Sequence, residues 1–334
     1  MKDDEAQPNG TLRGLPHGQR FGQVWPDMLP VYRALPKLSD WLKRARAYCQ
    51  DPPQDHVRAA DWLLDNDYQV ARAIRQVEED LPRDYYRQQP ALDAQPGARF
   101  PRAYGLAQSL YEALNPPLSL EGVVGRITEF QSAAPLTNAE LWAIPSMLRL
   151  ACLEALVKAF GKLNSDLEIR AIAAGHTDTA PATETTDRVA QALSNLVALQ
   201  TIKWEDFVDQ VSLAEAVLRS DPAKIYDGMT FEARNRYRTV LEGMAARAEL
   251  SEIEIAQTAI QLAQQAKADP IASHVGYWLV DAGIDELETA IKYRPTVKER
   301  LQRAFNQRAG FFYGTGLIAG VVLALVLPLW YMGR

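Results

Sequence analysis

One run constrains this chain more than any other: FFYGTGLIAGVVLALVLPLWYM, residues 311–332, twenty-two residues without a charge. A helix needs about 20 apolar residues to cross a bilayer core. It pairs its own backbone polar groups on the way. Phe311, Phe312 and Tyr313 lie at one end and Trp330 and Tyr331 at the other, the placing of interfacial aromatic belts. The run predicts a transmembrane helix in contact with the lipid bilayer; the alternative, a buried core helix, is disfavoured by its length. Lys292, Arg294, Lys298, Arg300, Arg303 and Arg308 approach it and only Arg334 follows. The positive-inside rule then puts the preceding body in the cytoplasm. The opening MKDDEAQPNG has no apolar segment of a signal peptide. Gly316 and Gly320 have GxxxG spacing, a candidate face for packing against another membrane helix. Gly314, Gly316 and Ala319 match the dinucleotide fingerprint only formally, because no strand precedes them and no acid follows.

Some 310 residues precede this run, enough for one large or two ordinary domains. With 47% hydrophobic and 23% charged residues, they predict a packed body rather than a disordered one. The net charge of −6 argues against a nucleic-acid-binding surface. Cys49 and Cys152 lie far apart, in no CxxC pattern, and are expected to be reduced thiols.

Helical patterns dominate the body. The segment 1–20 is polar and expected to be disordered. Prolines 26, 30 and 36 suggest short turns, with a helix from Asp40 behind a Ser39 cap. Ala60, Leu63, Leu64, Val70, Ile74 and Val77 recur at helical spacing up to Pro82. Further helices are expected over about 101–114, after Ser119, and from Thr137, where Thr137 and Glu140 have capping-box spacing. HTDTAPATETT, residues 176–186, reads as a loop between two helical subdomains, 21–175 and 187–295. In the second, Thr230 caps a helix over 231–248, and Ser251 with Glu254 forms another capping box. HVGYWLV, 274–280, is the one good strand-like run, short and alone, and reads equally as a buried loop. A basic juxtamembrane helix is expected over 296–310. The predicted fold class is all-α: a multi-helix cytoplasmic body with one C-terminal transmembrane helix.

Catalytic chemistry is sought in vain. Asp65-Asn66-Asp67 is a DxD, the acidic pair that can hold a hard divalent cation. It lies within a helical pattern, where residues two apart diverge, so a solvated helix face is the better reading. The histidines at 17, 56, 176 and 274 form no triad-like or metal-spaced set, and there is no P-loop or HExxH motif. The residues therefore indicate no catalytic group, no metal and no cofactor. For a partner surface the best candidates are Tyr85, Tyr86 and Arg87, with Phe231, Arg234, Tyr237 and Arg238, which mix aromatics and arginines as binding hot spots do. The plainer reading is that they lock helix ends by packing and hydrogen bonds.

Four blocks carry a family resemblance: 59–92, AADWLLDNDYQVARAIRQVEEDLPRDYYRQQPAL; 119–156, SLEGVVGRITEFQSAAPLTNAELWAIPSMLRLACLEAL; 221–245, DPAKIYDGMTFEARNRYRTVLEGMA; and 274–295, HVGYWLVDAGIDELETAIKYRP. Together they resemble the N-terminal region of cyclic β-1,2-glucan synthases, large inner-membrane proteins of Gram-negative bacteria. The resemblance implies a helical region ahead of a glucosyltransferase that uses UDP-glucose, with further domains beyond. The chain has no QxxRW-type motif, since no Trp follows an Arg, so no catalytic residue of the family carries over. It implies a non-catalytic scaffold or regulatory region of a split or truncated synthase, whose partner is the glucosyltransferase core. The alternative is an independent membrane-anchored adaptor that binds another protein. Either would sit at the bacterial inner membrane as a single-pass protein.

Overall fold

Pro30 opens the first helix, α1 (Pro30–Cys49), from a position where its missing N–H has no intrahelical partner to lose. The structure is a computed structural model that describes residues 26–95, 98–114, 116–173, 182–296 and 299. Helix α1 begins ten residues before the expected start and runs through Pro36. Val31, Leu35, Leu38, Leu42 and Ala45 make one buried face. Their packing outweighs the single hydrogen bond that Pro36 cannot donate.

Two units follow from the chain's packing. The first takes the described residues up to Arg219 together with Met229–Arg238; the second takes Ser220–Gly228 and the residues from Thr239. The expected division at 176–186 falls within the span of the first unit.

In the first unit α1 packs on α2 (Val57–Asp80), which a short α3 (Arg83–Gln88) follows. Strands β1 (Ala91–Gln95) and β2 (Ala98–Pro101) then pair antiparallel, with Leu92 opposite Phe100. Apart from this one hairpin the body is helical, as the sequence predicts. After α4 (Arg102–Ala113) and α5 (Leu120–Gln131) comes the central α6 (Asn138–Leu163). Eighteen of its 26 residues are buried, and α1, α2, α4 and α8 (Ala182–Thr201) pack around it. A helix apolar on nearly every side belongs inside a body of this size. Thr137 and Glu140 form the capping box their spacing predicts: Glu140 N–H donates to Thr137 Oγ1 at 3.2 Å, and Thr137 N–H to Glu140 Oε2 at 2.9 Å. Glu140 is fully buried and also takes Arg102 of α4 as a fork, Nε to Oε1 at 2.6 Å and Nη2 to Oε2 at 2.5 Å. One carboxylate thus starts α6 and ties α4 to it. A four-residue α7 (Arg170–Ala173) precedes α8, and α9 (Trp204–Val211) and α10 (Leu213–Leu218) follow it.

Helix α11 (Phe231–Ala245) has residues in both units. The second unit packs α12 (Glu252–Gln265), α13 (Val275–Val280) and α14 (Ile284–Ala290) against one another. The strand-like run at 274–280 is a helix. Val275, Trp278 and Leu279 are buried on one side of it, and burial overrides strand propensity. A Cβ on Gly283 would lie 2.7 Å from Tyr277 and 2.8 Å from Trp278, so only glycine lets α14 begin there. Asp221 organises this unit. Its Oδ2 accepts from the backbone N–H of Ile225 (3.1 Å) and Tyr226 (3.3 Å) and pairs with His274 Nδ1 (2.8 Å), and its Oδ1 accepts from Val275 N–H (2.9 Å).

The expected C-terminal transmembrane helix is corrected. Among the described residues no helix is long and apolar enough to cross a membrane. The run 311–332, with Gly316 and Gly320, lies outside the described residues, as do 1–20 and most of 296–310. The fold described is a helical body with one small hairpin.

Candidate functional site

The residues singled out from sequence fall into two sets. Both touch the first turns of α6. Tyr86 is fully buried; its ring stacks on Tyr32 at 4.4 Å between centroids, and its hydroxyl donates to Asp27 O at 2.8 Å and accepts from Leu29 N–H at 3.0 Å. Tyr85 is half-buried and donates to Ala139 O at 2.6 Å, while Arg87 is exposed. In the second set Phe231 meets Trp142 edge-on at 6.0 Å, and the Arg238 guanidinium lies 4.8 Å from the Phe231 ring centre. Tyr237 and Arg238 are buried.

Arg234 and Arg238 join a charge cluster that sequence spacing does not reveal. Its carboxylates are Asp209 of α9 and Glu215 of α10. Arg238 Nη1 donates to Asp209 Oδ1 at 2.9 Å and to Glu215 Oε2 at 2.7 Å. Arg234 bonds Asp209 through Nη2, and its Nε lies 3.1 Å from Glu215 Oε1 as an ion pair without hydrogen-bond alignment. Arg219 adds a bond to Glu215 at 3.1 Å. Three guanidiniums thus surround two carboxylates, with the side chains of Arg238 and Glu215 at 0% and 1% exposure. Charges this dry persist only when paired, so the cluster fastens α9, α10 and the start of α11.

The remaining sequence candidates are dispersed. Asp67 of the DxD pairs with Arg46 at 2.6 Å. Among the described residues no group of three or more His, Cys, Asp or Glu side chains could hold a metal. Cys49 and Cys152 are buried free thiols; burial pushes Cys49 up to about 11 and Cys152 higher still.

A groove of about 460 Å³ lies in the first unit between Trp62 of α2 and one face of α8. Ligand sites fall in this size range. Glu184, Asp187, Arg188, Gln191 and Ser194 line it, at offsets of 0, 3, 4, 7 and 10 along the helix. That spacing keeps them on one face, while Val189, Ala192, Leu193 and Leu196 on the other side are buried. Arg188 and Glu184 pair at 2.6 Å. Gln191 Nε2 donates to Tyr111 O at 3.1 Å, which turns its amide oxygen the other way. The Trp62 indole N–H, the Asp187 carboxylate and the Ser194 hydroxyl have no hydrogen bond among the described residues. The Tyr111 hydroxyl, which does not line the groove, is buried without a partner; burial raises its pKa, Cys152 adds to the rise and Arg188 opposes it.

This groove was legible only in part. The sequence places 176–186 in a loop and starts the helix at 187, which leaves Glu184 out. The structure starts α8 at Ala182. The signal was the polar stripe Glu184-x-x-Asp187-Arg188-x-x-Gln191-x-x-Ser194, read at helical period.

Fold and groove together define a helical protein with a surface groove that carries a row of polar side chains along one face of α8. No protein-family model matches the chain. It is similar to the cyclic beta-(1,2)-glucan synthase NdvB of Rhizobium meliloti (strain 1021), 27% identical over 342 residues, which cover 80% of this chain and 12% of that protein. The resemblance read from the four blocks is therefore shown, and the chain is related to the cyclic β-1,2-glucan synthases.

Proposed function

We propose that this chain is a non-catalytic scaffold or regulatory region of a cyclic β-1,2-glucan synthase, acting beside a UDP-glucose-dependent glucosyltransferase core. The observation that carries this is the asymmetry of the match: 80% of this chain aligns with only 12% of the synthase. The match thus has the size of an accessory region rather than of the whole enzyme. The helical body agrees. Its most deeply buried ionised side chains are engaged in pairs such as Arg102–Glu140 and Arg238–Glu215, which position helices.

A chimaera tests the reading. This chain replaces the matching segment of the Rhizobium meliloti synthase, and cyclic β-1,2-glucan is measured in cell extracts. Restored glucan, above a control with the segment deleted, is expected. A stable chimaera that makes no more than the deletion control would remove the reading. The chain alone, given UDP-glucose with and without a divalent metal, is expected to release no nucleotide.

A further inference from the structure

We infer that the Trp62 groove is a binding site for a short neutral saccharide. The inference rests on the glucan-synthase reading for its choice of probe; the class of ligand comes from the groove itself. The uncommitted polar atoms are of both kinds. Trp62 offers an N–H donor, Asp187 a carboxylate acceptor, Gln191 an amide oxygen, and Ser194 a hydroxyl that both donates and accepts. A sugar hydroxyl also donates and accepts, and a saccharide carries many of them on one rigid ring. The ring's C–H face is apolar and suits an indole, which presents an apolar body and a polar tip.

Charge argues the same way. An aromatic beside acids could instead hold a cation. Here Glu184 is engaged by Arg188 at 2.6 Å, and the guanidinium stands in the groove beside the single free acid, Asp187. A cation would meet that guanidinium as a like charge and would leave the indole N–H without an acceptor. A neutral polyol meets neither cost. An anion would face both Asp187 and Glu184. The offsets along α8 are rigid, so the polar groups are held in a fixed row before any ligand arrives, which lowers the cost of binding.

The test uses the full-length chain in buffer free of sugar-based detergents, with calorimetry and tryptophan fluorescence as readouts. The probes are linear β-1,2-linked gluco-oligosaccharides, cello-oligosaccharides and tetramethylammonium. Saturable β-1,2-oligosaccharide binding is expected. Asp187→Asn should weaken it about tenfold, the size of one hydrogen bond to a charged group. Trp62→Phe should remove the fluorescence change. Both variants are checked by circular dichroism melting, and Ser194→Ala serves as a third, milder variant should Trp62→Phe melt early. No binding of either oligosaccharide, binding unmoved by Asp187→Asn and Ser194→Ala, or binding of tetramethylammonium alone would overturn the proposal. Cello-oligosaccharide binding without β-1,2-oligosaccharide binding would keep a saccharide groove and cut its link to β-1,2-glucan, leaving the glucan-synthase reading to the chimaera. A working chimaera with no saccharide binding would keep that reading and overturn the groove proposal.

Discussion

Replacing Glu215 by Ala should do more damage than replacing Arg238, its partner, by Met. Around Glu215 stand three guanidiniums, and they are not equal. The Arg219 side chain is 44% exposed, so its pair with Glu215 is screened and contributes under about 1 kcal/mol. Arg238 is at 0% exposure and Arg234 at 12%, so both are held largely out of water. Removing one partner of a buried pair costs roughly 3–5 kcal/mol, because the other charge stays desolvated and unmatched. For a unit of this size that lowers the melting temperature by roughly 6–20 °C. Charge counting then separates the two variants. The cluster holds Arg219, Arg234 and Arg238 against Asp209 and Glu215, a formal +1. Glu215→Ala moves it to +2 in a dry site. Arg238→Met moves it to 0 and fills much the same space with an apolar chain over Phe231. The assay is urea and thermal unfolding followed by circular dichroism, with Glu215→Gln as a shape-preserving control. The argument is refuted if Arg238→Met destabilises as much as Glu215→Ala. Packing over Phe231, not charge balance, would then hold α9, α10 and α11 together.

Three further outcomes are expected. Asp221→Ala strips acceptors from three backbone N–H groups and from His274, so the second unit should lose at least about 2 kcal/mol, seen as faster amide exchange at Ile225, Tyr226 and Val275. With Cys49 at about 11 and Cys152 higher, a thiol reagent at pH 8 should modify neither in the native chain and both in urea; fast labelling without denaturant would contradict their burial. Glu254 is held below its usual range, first by the Ser251 N–H and then by the Ser251 hydroxyl. A lowered folded pKa stabilises above the unfolded value, about 4.3, and the gain disappears as pH falls through the folded one. The first turn of α12 should therefore lose exchange protection in acid, and Glu254→Gln should flatten that pH dependence.

Local chemistry made much of the fold legible. Thr137 with Glu140 and Ser251 with Glu254 form capping boxes as their spacing predicts, and Ser119 accepts from Gly122 N–H at 3.2 Å. These signals span three or four residues, so one sequence suffices to read them. The misses share a different cause. Helix α1 keeps Pro36 because a buried face compensates, and Val275–Val280 is helical because Trp278 and Leu279 are covered from outside the segment. The Arg234–Arg238 cluster depends on carboxylates 19 to 29 residues away in sequence, which no local pattern can nominate. Trp62 and the α8 stripe, more than 120 residues apart, become one groove only through helix packing.

Hydrogen-bond bookkeeping separates the side chains that hold this protein together from those that can hold something else. A group that already has a native partner must give it up to bind a ligand, so its net gain is small; a group facing water exchanges one solvent bond for one ligand bond in a drier place. Asp221 accepts three backbone N–H groups and His274, Glu215 faces three guanidiniums, and Tyr86 uses its hydroxyl both as donor and as acceptor. Any partner docking at 84–87 therefore meets Asp84 and Arg87, which are exposed, and not Tyr86. Asp187 and Ser194 are in the opposite condition. They sit on a rigid helix with no bond to release, each about one turn from an amide that Tyr111 has already oriented. Binding energy is available where geometry is fixed and partners are not, and in the first unit those two conditions coincide along the α8 face opposite Trp62.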